Sequence, residues 1–306
     1  MDSKLHISVS PHIRGKRSTR NIMMDVIFSL LPATAAGIVL FGGSALAVVV
    51  TCVVAAVLSE GLFNLIIKKE QTVNDLSAVV TGLLLALNLP ANIPLWQAVV
   101  GTVFAIVIVK CFFGGIGCNM VNPAITGRVF MLVAFGTMAK AAFPVDSAST
   151  ATPLVELAEG TVPDLLDLFL GKVGGSIGET SVLALLIGFI YLLARGVISW
   201  HLPAAYIGTV FLFTFAVQGD LTVALAYIFS GGLFLGAIFM ATDYVTSPAT
   251  PAGKLIFGIG AGIITVLIRL WGNYPEGVSF AILLMNILNP YIEKWTPRKV
   301  FGGKKA

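Results

Sequence analysis

Charged side chains are scarce in this sequence. They make up only 11% of its 306 residues, against about 25% in an average soluble domain. Hydrophobic residues make up 57%, and the mean hydropathy is +0.94. A chain of this composition cannot cover its surface with polar groups. The scarcity of charge therefore excludes a soluble globular protein and indicates an integral membrane protein surrounded by lipid, with no nucleic-acid partner.

Histidine and cysteine are also rare, with three of each. The histidines His6, His12 and His201 lie outside the apolar runs, and no Ser/His/Asp or Cys/His arrangement suggests hydrolysis. Cys111 and Cys118 are seven residues apart, which fits neither an iron–sulfur nor a zinc site. The N-terminal tail is polar and basic, so we expect no cleaved signal peptide.

Apolar runs recur along the chain, and each is long enough to cross about 30 Å of hydrocarbon. We predict an all-α integral membrane protein with about ten transmembrane helices, at 22–41, 44–66, 76–89, 96–113, 121–138, 181–195, 203–217, 221–240, 255–271 and 277–292. The predicted segments are a tail at 1–21, a membrane half at 22–138, a polar segment at 139–180, a second membrane half at 181–293 and a tail at 294–306.

The distribution of basic residues predicts the orientation, because cytoplasmic loops are enriched in Lys and Arg. With both tails in the cytoplasm, only Lys140, Lys172 and Arg269 of the 19 basic residues fall on the outer side, which leaves 16 inside. The polar segment carries two lysines and six acidic residues. We therefore expect it to face away from the cytoplasm.

The two membrane halves share short motifs in the same order. The run that begins at Thr81 matches the run that begins at Gly231, and each precedes a proline-broken stretch and a long span ending in Lys110 or Arg269. Five spans per half would make the second half an inverted copy of the first, an architecture typical of transporters. The alternative is a chance match of abundant Leu and Gly.

The stretch Asp146-Ser-Ala-Ser-Thr-Ala-Thr152-Pro153-Leu154 interrupts the membrane sequence with five Ser, Thr and Asp side chains. One interpretation is a helix start, with Thr152 as the N-cap and Pro153 at the first helical position. The other is that the Thr152 hydroxyl carries a flavin through a phosphoester, close to free backbone N–H groups.

Two polar breaks lie on the predicted cytoplasmic side. The first, at 114–124, combines glycines with Asn119 and Asn122 and is followed by Arg128; the second, at 241–248, contains Asp243 and Thr246. Both are interpreted either as helix caps or as contacts for a flavin. The stretch at 114–117 does not fit a Rossmann fingerprint, because no strand precedes it.

Two carboxylates fall in or near apolar spans and are candidates for ion handling. Asp25 lies near the cytoplasmic end of the first span, where it could instead reach water. Glu60 lies deeper in the second span.

The sequence resembles the family that contains the D subunit of Rnf ion-translocating electron-transport complexes and the B subunit of sodium-pumping NADH:quinone oxidoreductases. The shared motifs include Ser10-Pro-His-Ile-Arg14, Asn119-x-x-Asn-Pro-Ala124, Asp146-x-x-Ser-x-Ala-Thr-Pro-Leu154, Thr242-Asp-x-Val-Thr246 and Gly272-x-Tyr-Pro-x-Gly277. The motif at which proteins of this family attach a flavin is Asp-x-x-Ser-Gly-Ala-Thr. Here Thr150 replaces the glycine, which offers a second hydroxyl next to the expected Thr152.

The resemblance implies a urea-channel-like membrane fold in a bacterial cytoplasmic membrane, FMN covalently bound at Thr152 outside, and a noncovalent flavin such as riboflavin. The predicted contacts of the second flavin are Asn119, Asn122 and Arg128, with Asp243 and Thr246 as further candidates. It also implies partner subunits, including a second FMN-bearing one, and a flavin transferase for maturation.

The function implied is electron transfer between reduced ferredoxin and NAD, coupled to Na⁺ or H⁺ translocation. The NAD and ferredoxin sites would belong to partners, because no Rossmann or cysteine-cluster motif occurs in this chain. A channel or permease for a small polar solute, or a structural scaffold without chromophore, are the alternatives.

Overall fold

A computed structural model describes residues 18–136, 142–144, 152–272 and 276–298. Residues 1–17 and 299–306 of the two tails and the Asp146 motif up to residue 151 lie outside these ranges. Apart from an isolated bridge between Ala142 and Gly175, the described residues form helices and loops. The helices are α1 (Thr19–Phe41), α2 (Gly43–Ile67), α3 (Ser77–Leu87), α4 (Leu95–Val103), α5 (Pro123–Ala134), α6 (Pro153–Ala158), α7 (Leu165–Leu170), α8 (Val182–Ala194), α9 (His201–Gln218), α10 (Leu221–Phe229), α11 (Leu233–Leu235), α12 (Pro251–Trp271) and α13 (Val278–Trp295).

Each predicted span overlaps helical segments of the structure, and the all-helical class is confirmed. Two helices continue as π-helical segments, α4 through Phe104–Cys111 and α11 through Gly236–Met240. The prediction of one uninterrupted span at 221–240 is wrong in one respect. The span breaks at Ser230–Gly232, where Gly231 has φ 66°, and its two parts are bent by 63°.

Four described helices, α1, α2, α9 and α12, are individually long and apolar enough to cross a membrane, and the bent pair of α10 with α11 is a possible fifth crossing. Helices α3, α4, α5 and α8 are apolar but shorter. At 1.5 Å per residue, the 11 residues of α3 extend only about 16 Å. The chain is thus a multi-pass membrane protein with short helices, while ten full crossings remain a prediction.

The two membrane halves are in direct contact through α1 and α8. The carboxylate of Asp25 accepts a hydrogen bond from the Tyr191 hydroxyl at 3.0 Å and pairs with Nε of Arg195 at 3.1 Å. Asp25 is buried. The sequence indicates that Asp25 either handles ions or reaches water. The structure instead shows it buried in an ion pair that joins the two halves.

Small residues allow α9 and α12 to approach closely. A Cβ atom at Gly258 would lie 2.8 Å from the carbonyl oxygen of Leu202, and one at Gly262 would lie 2.7 Å from Cβ of Thr209. A spacing of four residues between glycines is a common helix-contact motif in membranes. Nearby, the hydroxyls of Tyr206 and Thr265 are 2.7 Å apart, which satisfies both in the apolar interior.

The two cations at the ends of matching spans make comparable contacts. Lys110 Nζ donates to Ser77 Oγ at 2.6 Å, at the start of α3. Arg269 donates to the carbonyl oxygens of Tyr227 at 2.6 Å and Ser230 at 3.0 Å, at the end of α10. In the motif alignment that matches Thr81 with Gly231, Ser77 matches Tyr227. The inverted internal repeat itself stays a prediction.

Candidate functional site: a cavity between the two halves

A cavity of about 410 Å³ lies where the two halves meet. Its wall is mainly apolar, as in most small-molecule sites, and its polar groups include residues from both predicted breaks. Its lining residues include Ser77, Lys110, Asn119, Asn122, Phe239 and Asp243. The structure thus brings Asn119, Asn122 and Asp243 of the predicted site to one cavity.

Asn119 and Asp243 meet across the boundary between the halves. The carboxylate of Asp243 accepts hydrogen bonds from the Asn119 side chain, from Thr246 Oγ1 at 3.2 Å, and from the Val245 backbone N–H. Burial raises the pKa of Asp243, and these hydrogen bonds act in the opposite direction. Thr246 is buried and does not line the cavity, so its side chain orients Asp243.

Asn122 has a structural role in addition to its place on the wall. Its Oδ1 accepts from the backbone N–H groups of Ala124 at 3.0 Å and Ile125 at 3.3 Å, and therefore caps α5. Its Nδ2 donates to the carbonyl oxygen of Met240 at 3.2 Å. The helix-cap interpretation is thus confirmed for Asn122, whose side chain also connects the two halves.

The second asparagine motif packs against the first. In the amide orientation that satisfies both polar atoms of Asn286, its oxygen accepts from the Asn122 backbone N–H at 3.1 Å, and its nitrogen donates to the Thr246 carbonyl at 3.2 Å. Asn286 begins the stretch Asn286-Ile-Leu-Asn289-Pro290, which matches Asn119-Met-Val-Asn122-Pro123 of the first half, and the structure places Asn286 in contact with Asn122.

Lys110 is the residue of this wall that sequence reasoning missed. Its Nζ lies 2.8 Å from Oε2 of Glu60 and 2.6 Å from Oγ of Ser77, and its side chain is buried. Thr72 Oγ1 donates to the other Glu60 oxygen at 2.5 Å. The signal available in the sequence was a lysine and a glutamate, each inside an apolar run, because such charges need partners in a membrane.

Arg128 does not line this cavity. Its guanidinium donates to Asn88 Oδ1 at 2.9 Å and Ser279 Oγ at 3.2 Å, forms an ion pair with Glu276, and lies 3.7 Å from Glu179 Oε2. Both carboxylates belong to loops that we predicted outside, so counting Arg128 among the cytoplasmic charges was wrong. The reason is depth, since six residues of helix place it about 9 Å beyond Asn122.

Thr152 is the N-cap residue of α6, and Pro153 is the first helical residue, as predicted. The Thr152 carbonyl accepts from the N–H groups of Val155 and Glu156, while its side chain makes no capping hydrogen bond. Thr150, the alternative hydroxyl, lies outside the described residues. Thr152 therefore caps α6 through its backbone, as the N-cap interpretation predicted, but its hydroxyl has no capping role.

Helix α6 is held against the break between α10 and α11. A Cβ atom at Gly231 would lie 2.8 Å from Leu154 Cδ1 and 3.1 Å from Nη2 of Arg269. One at Gly232 would lie 3.1 Å from Oε2 of Glu179. Leu154, two residues after Thr152, thus packs on the charged region around Arg269 and Glu179. This region lies away from the Asn119 cavity.

A noncovalent flavin fits the donor and acceptor set of the cavity. A flat ring system needs an apolar wall with a few oriented polar groups, and Phe239, Asn119 and Asp243 provide these on different sides of the boundary. Within the described ranges, no group of three His, Cys, Asp or Glu residues could hold a metal ion.

Comparison with known proteins gives a consistent match along the chain. A family model described as the NQR2, RnfD, RnfE family matches residues 6–302. The chain is 50% identical to the D subunit of the Na⁺-translocating ferredoxin:NAD⁺ oxidoreductase complex of Acetobacterium woodii, over 98% of this chain and 96% of that protein.

Two further relatives extend the comparison. The D subunit of the proton-translocating ferredoxin:NAD⁺ oxidoreductase complex of Clostridium ljungdahlii is 42% identical over 98% of this chain and 96% of that protein. The D subunit of an ion-translocating oxidoreductase complex from Stutzerimonas stutzeri is 38% identical over 94% of this chain and 93% of that protein.

Proposed function

The chain belongs to the NQR2, RnfD, RnfE family, and from this premise we propose that it is the flavin-carrying membrane subunit of an Rnf-type complex. The observation that carries the proposal is the 50% identity, over nearly the whole of both chains, to the D subunit of a ferredoxin:NAD⁺ oxidoreductase complex. The complex passes electrons between reduced ferredoxin and NAD and couples this transfer to Na⁺ or H⁺ translocation. This chain carries electrons within the membrane part, while partner subunits hold the ferredoxin and NAD sites.

We propose that FMN is attached to Thr152 by a phosphoester. The Thr152 side chain makes no capping hydrogen bond and begins a short helix that packs through Leu154 against the break at Gly231. When bound, the flavin supplies the electron-carrying chemistry, and the protein supplies position and electrostatics. Attachment of FMN requires a flavin transferase on the side of the membrane that the polar segment faces.

The second proposed flavin is noncovalent, and we assign it to the cavity lined by Asn119, Asn122 and Asp243. Thr246 contributes by orienting Asp243. Arg128 contributes indirectly, because it connects α5 to Ser279 in α13. The two asparagines offer amide groups to the polar edge of the ring system, and the apolar wall holds its body.

The proposed location is the bacterial cytoplasmic membrane, with residues 1–21 and 294–306 in the cytoplasm and residues 139–180 on the opposite face. The charge distribution supports this orientation. The proposed partners are the other subunits of the complex, including a second FMN-bearing one. In this arrangement the Thr152 flavin and the cavity flavin lie toward opposite faces, as electron transfer across a membrane requires.

A permease for a small polar solute would also need a cavity between two inverted halves. Deleting the gene for this chain and assaying the membranes distinguishes the two functions. We expect loss of NAD reduction by reduced ferredoxin, restored by the wild-type chain. If the Thr152→Ala chain restores assembly of the complex in the deletion strain but does not restore electron transfer, the missing flavin is the cause of the defect. Full NAD reduction in the deletion strain would contradict the proposed function.

A further inference from the structure

An open cleft lies between the start of α12 and the end of α13, on the predicted cytoplasmic side. Its lining residues include Ala252, Trp295 and Arg298, and none of its described lining residues lines the cavity between the halves. A hydrogen bond of 3.0 Å between the hydroxyls of Thr250 and Thr296 holds the two sides of the cleft together. Both hydroxyls also bind backbone groups of their own helices, so the cleft is a fixed feature of the fold.

Arg298 gives this cleft a positive charge that no ion pair balances. Arg298 is exposed, and it takes part in none of the ion pairs formed by the described residues. Lys254, three residues after Pro251, lies close enough to Arg298 for the two positive charges to repel each other. Its Nζ donates to the hydroxyl of Ser199 at 2.9 Å. Two neighbouring cations at this end of the molecule therefore lack a carboxylate partner in the part of the chain that the structure describes.

The other charges at this end of α12 and α13 leave the sum positive. Lys294 is a third exposed cation, and Glu293 is a carboxylate whose Oε1 accepts from the Ala249 N–H at 3.3 Å. With Lys254 and Arg298, three cations and one carboxylate give a formal charge of +2. The loop before α12 also contains Asp243, which lines the other cavity, and counting it still leaves +1. The partial charges of the two helix ends, positive at the start of α12 and negative at the end of α13, offset each other. The cleft therefore attracts an anion.

The same end of the molecule has the features of a membrane interface. Trp295 is 72% exposed, and Trp200, just before α9, is 57% exposed. Tryptophan side chains are enriched at the level of the lipid headgroups. The exposed residues Ile256 and Ile259 follow Ala252 by four and seven positions along α12, which places all three on one face of the helix. An apolar face of α12 therefore continues directly from the cleft.

We propose that the cleft binds the headgroup of an anionic phospholipid. The guanidinium of Arg298 donates to the phosphate oxygens, for which its planar fork is well suited, and Lys254 raises the positive potential. The acyl chains lie along the exposed face of α12 that Ile256 and Ile259 form. A soluble anion or an acidic protein would use the charge of the cleft but would have no need of this apolar face. The inference is independent of the proposed flavins and of electron transfer.

The test compares two lipids with identical acyl chains, phosphatidylglycerol, which is anionic, and phosphatidylcholine, which has no net charge. The full chain is purified in detergent and titrated with each lipid, and bound lipid is counted by native mass spectrometry. The wild-type chain should bind phosphatidylglycerol more tightly than phosphatidylcholine. Arg298→Gln and Lys254→Gln should each raise the dissociation constant for phosphatidylglycerol about fivefold, whereas Arg298→Lys, which keeps the charge, should retain most of the affinity.

Lys69→Gln is the matched control, because it removes an exposed cation from the loop between α2 and α3, which does not line the cleft. It should leave the affinity for phosphatidylglycerol unchanged. Ala252→Phe fills the cleft without altering its charge and should weaken binding, which separates a built site from a general effect of charge. Inorganic phosphate and the deacylated headgroup glycerophosphoglycerol, at millimolar concentration, should not displace the lipid, because they lack acyl chains.

Three results would overturn the lipid site. The first is an equal affinity of the wild-type chain for the two lipids, or an unchanged affinity for phosphatidylglycerol in both Arg298→Gln and Lys254→Gln. The second is displacement of the lipid by phosphate or by glycerophosphoglycerol, which would assign the cleft to a soluble anion. The third is unchanged lipid binding in these variants together with failure of the complex to assemble, which would assign the cleft to an acidic partner protein.

Discussion

The side-chain amide of Asn122 joins the two membrane halves, because its Nδ2 donates to the carbonyl oxygen of Met240 at 3.2 Å. Met240 ends the π-helical segment that follows α11. The same asparagine caps α5 through its Oδ1. One residue therefore fixes the start of a helix, the contact between the halves and a part of the cavity wall.

Asn122→Ala should lower the free energy of unfolding by about 1–3 kcal/mol, because the cap is lost and the Met240 carbonyl loses a buried donor. Asn122→Asp keeps an oxygen for the cap and should cost less than Asn122→Ala. Thermal unfolding in detergent measures both effects. The control is Asn289→Ala in the matching motif, whose Oδ1 has no partner in the described structure. Equal losses for Asn122→Ala and Asn289→Ala would contradict the proposed role.

The contact between α1 and α8 depends on a glycine. A Cβ atom at Gly188 would lie 2.2 Å from the Ser29 carbonyl oxygen and 2.9 Å from Phe239 Cζ. Gly188→Ala should therefore force the helices apart and lower the stability by about 1–3 kcal/mol. In Gly208→Ala, the added methyl would meet no atom within 4 Å. Gly208→Ala should therefore be neutral or stabilising by about 0.5–1 kcal/mol. If Gly208→Ala lowers the stability and Gly188→Ala does not, the packing described here is contradicted.

Glu179 should make stability depend on pH. Burial, followed by the neighbouring Glu276, raises the pKa of Glu179 to about 7, although Arg128 acts in the opposite direction. The folded state then holds this proton more tightly than the unfolded state, so the contribution of Glu179 to stability decreases as pH rises from about 4.5 to about 7. Unfolding of wild type and Glu179→Gln should be compared at pH 5 and pH 8. The stability of the variant relative to wild type should increase by about 1–3 kcal/mol toward pH 8, and an equal difference at both values would contradict the assignment.

The orientation can be tested with two exposed lysines. In a Cys118→Ser background, which removes an exposed native thiol, Lys172→Cys should react with a membrane-impermeant maleimide in intact cells. Lys69→Cys should react only after the cells are opened. Both lysines are exposed in the structure, so accessibility to solvent does not separate them. The reverse pattern of labelling would place the Thr152 segment in the cytoplasm.

The sequence was sufficient for the helical class and for the approximate positions of the apolar helices, because membrane segments are defined by local composition. The start of α5 follows from Asn122 and Pro123, and that of α6 from Thr152 and Pro153, since capping depends on neighbours in the chain. The break at Gly231 was missed because an apolar run hides a glycine that packs against Leu154 from a distant segment.

The candidate site was predictable in part. The proximity of Asn119 to Asp243 was expected only in the sense that both lay on the same face. The pairing of Lys110 with Glu60 joins residues 50 positions apart, and no local pattern specifies it. Arg128 was misassigned for the related reason that its partners, Glu179 and Glu276, come from two remote loops.

The most direct test of the central claim is the mass of the peptide that contains Thr152. The purified, denatured chain should be fluorescent under ultraviolet light, and one proteolytic fragment should carry one FMN at Thr152. Thr152→Ala should abolish the label, whereas Thr161→Ala, a threonine beyond the end of α6, should keep it. Label on Thr150 would correct the position. A denatured wild-type chain without any covalent flavin would contradict the account.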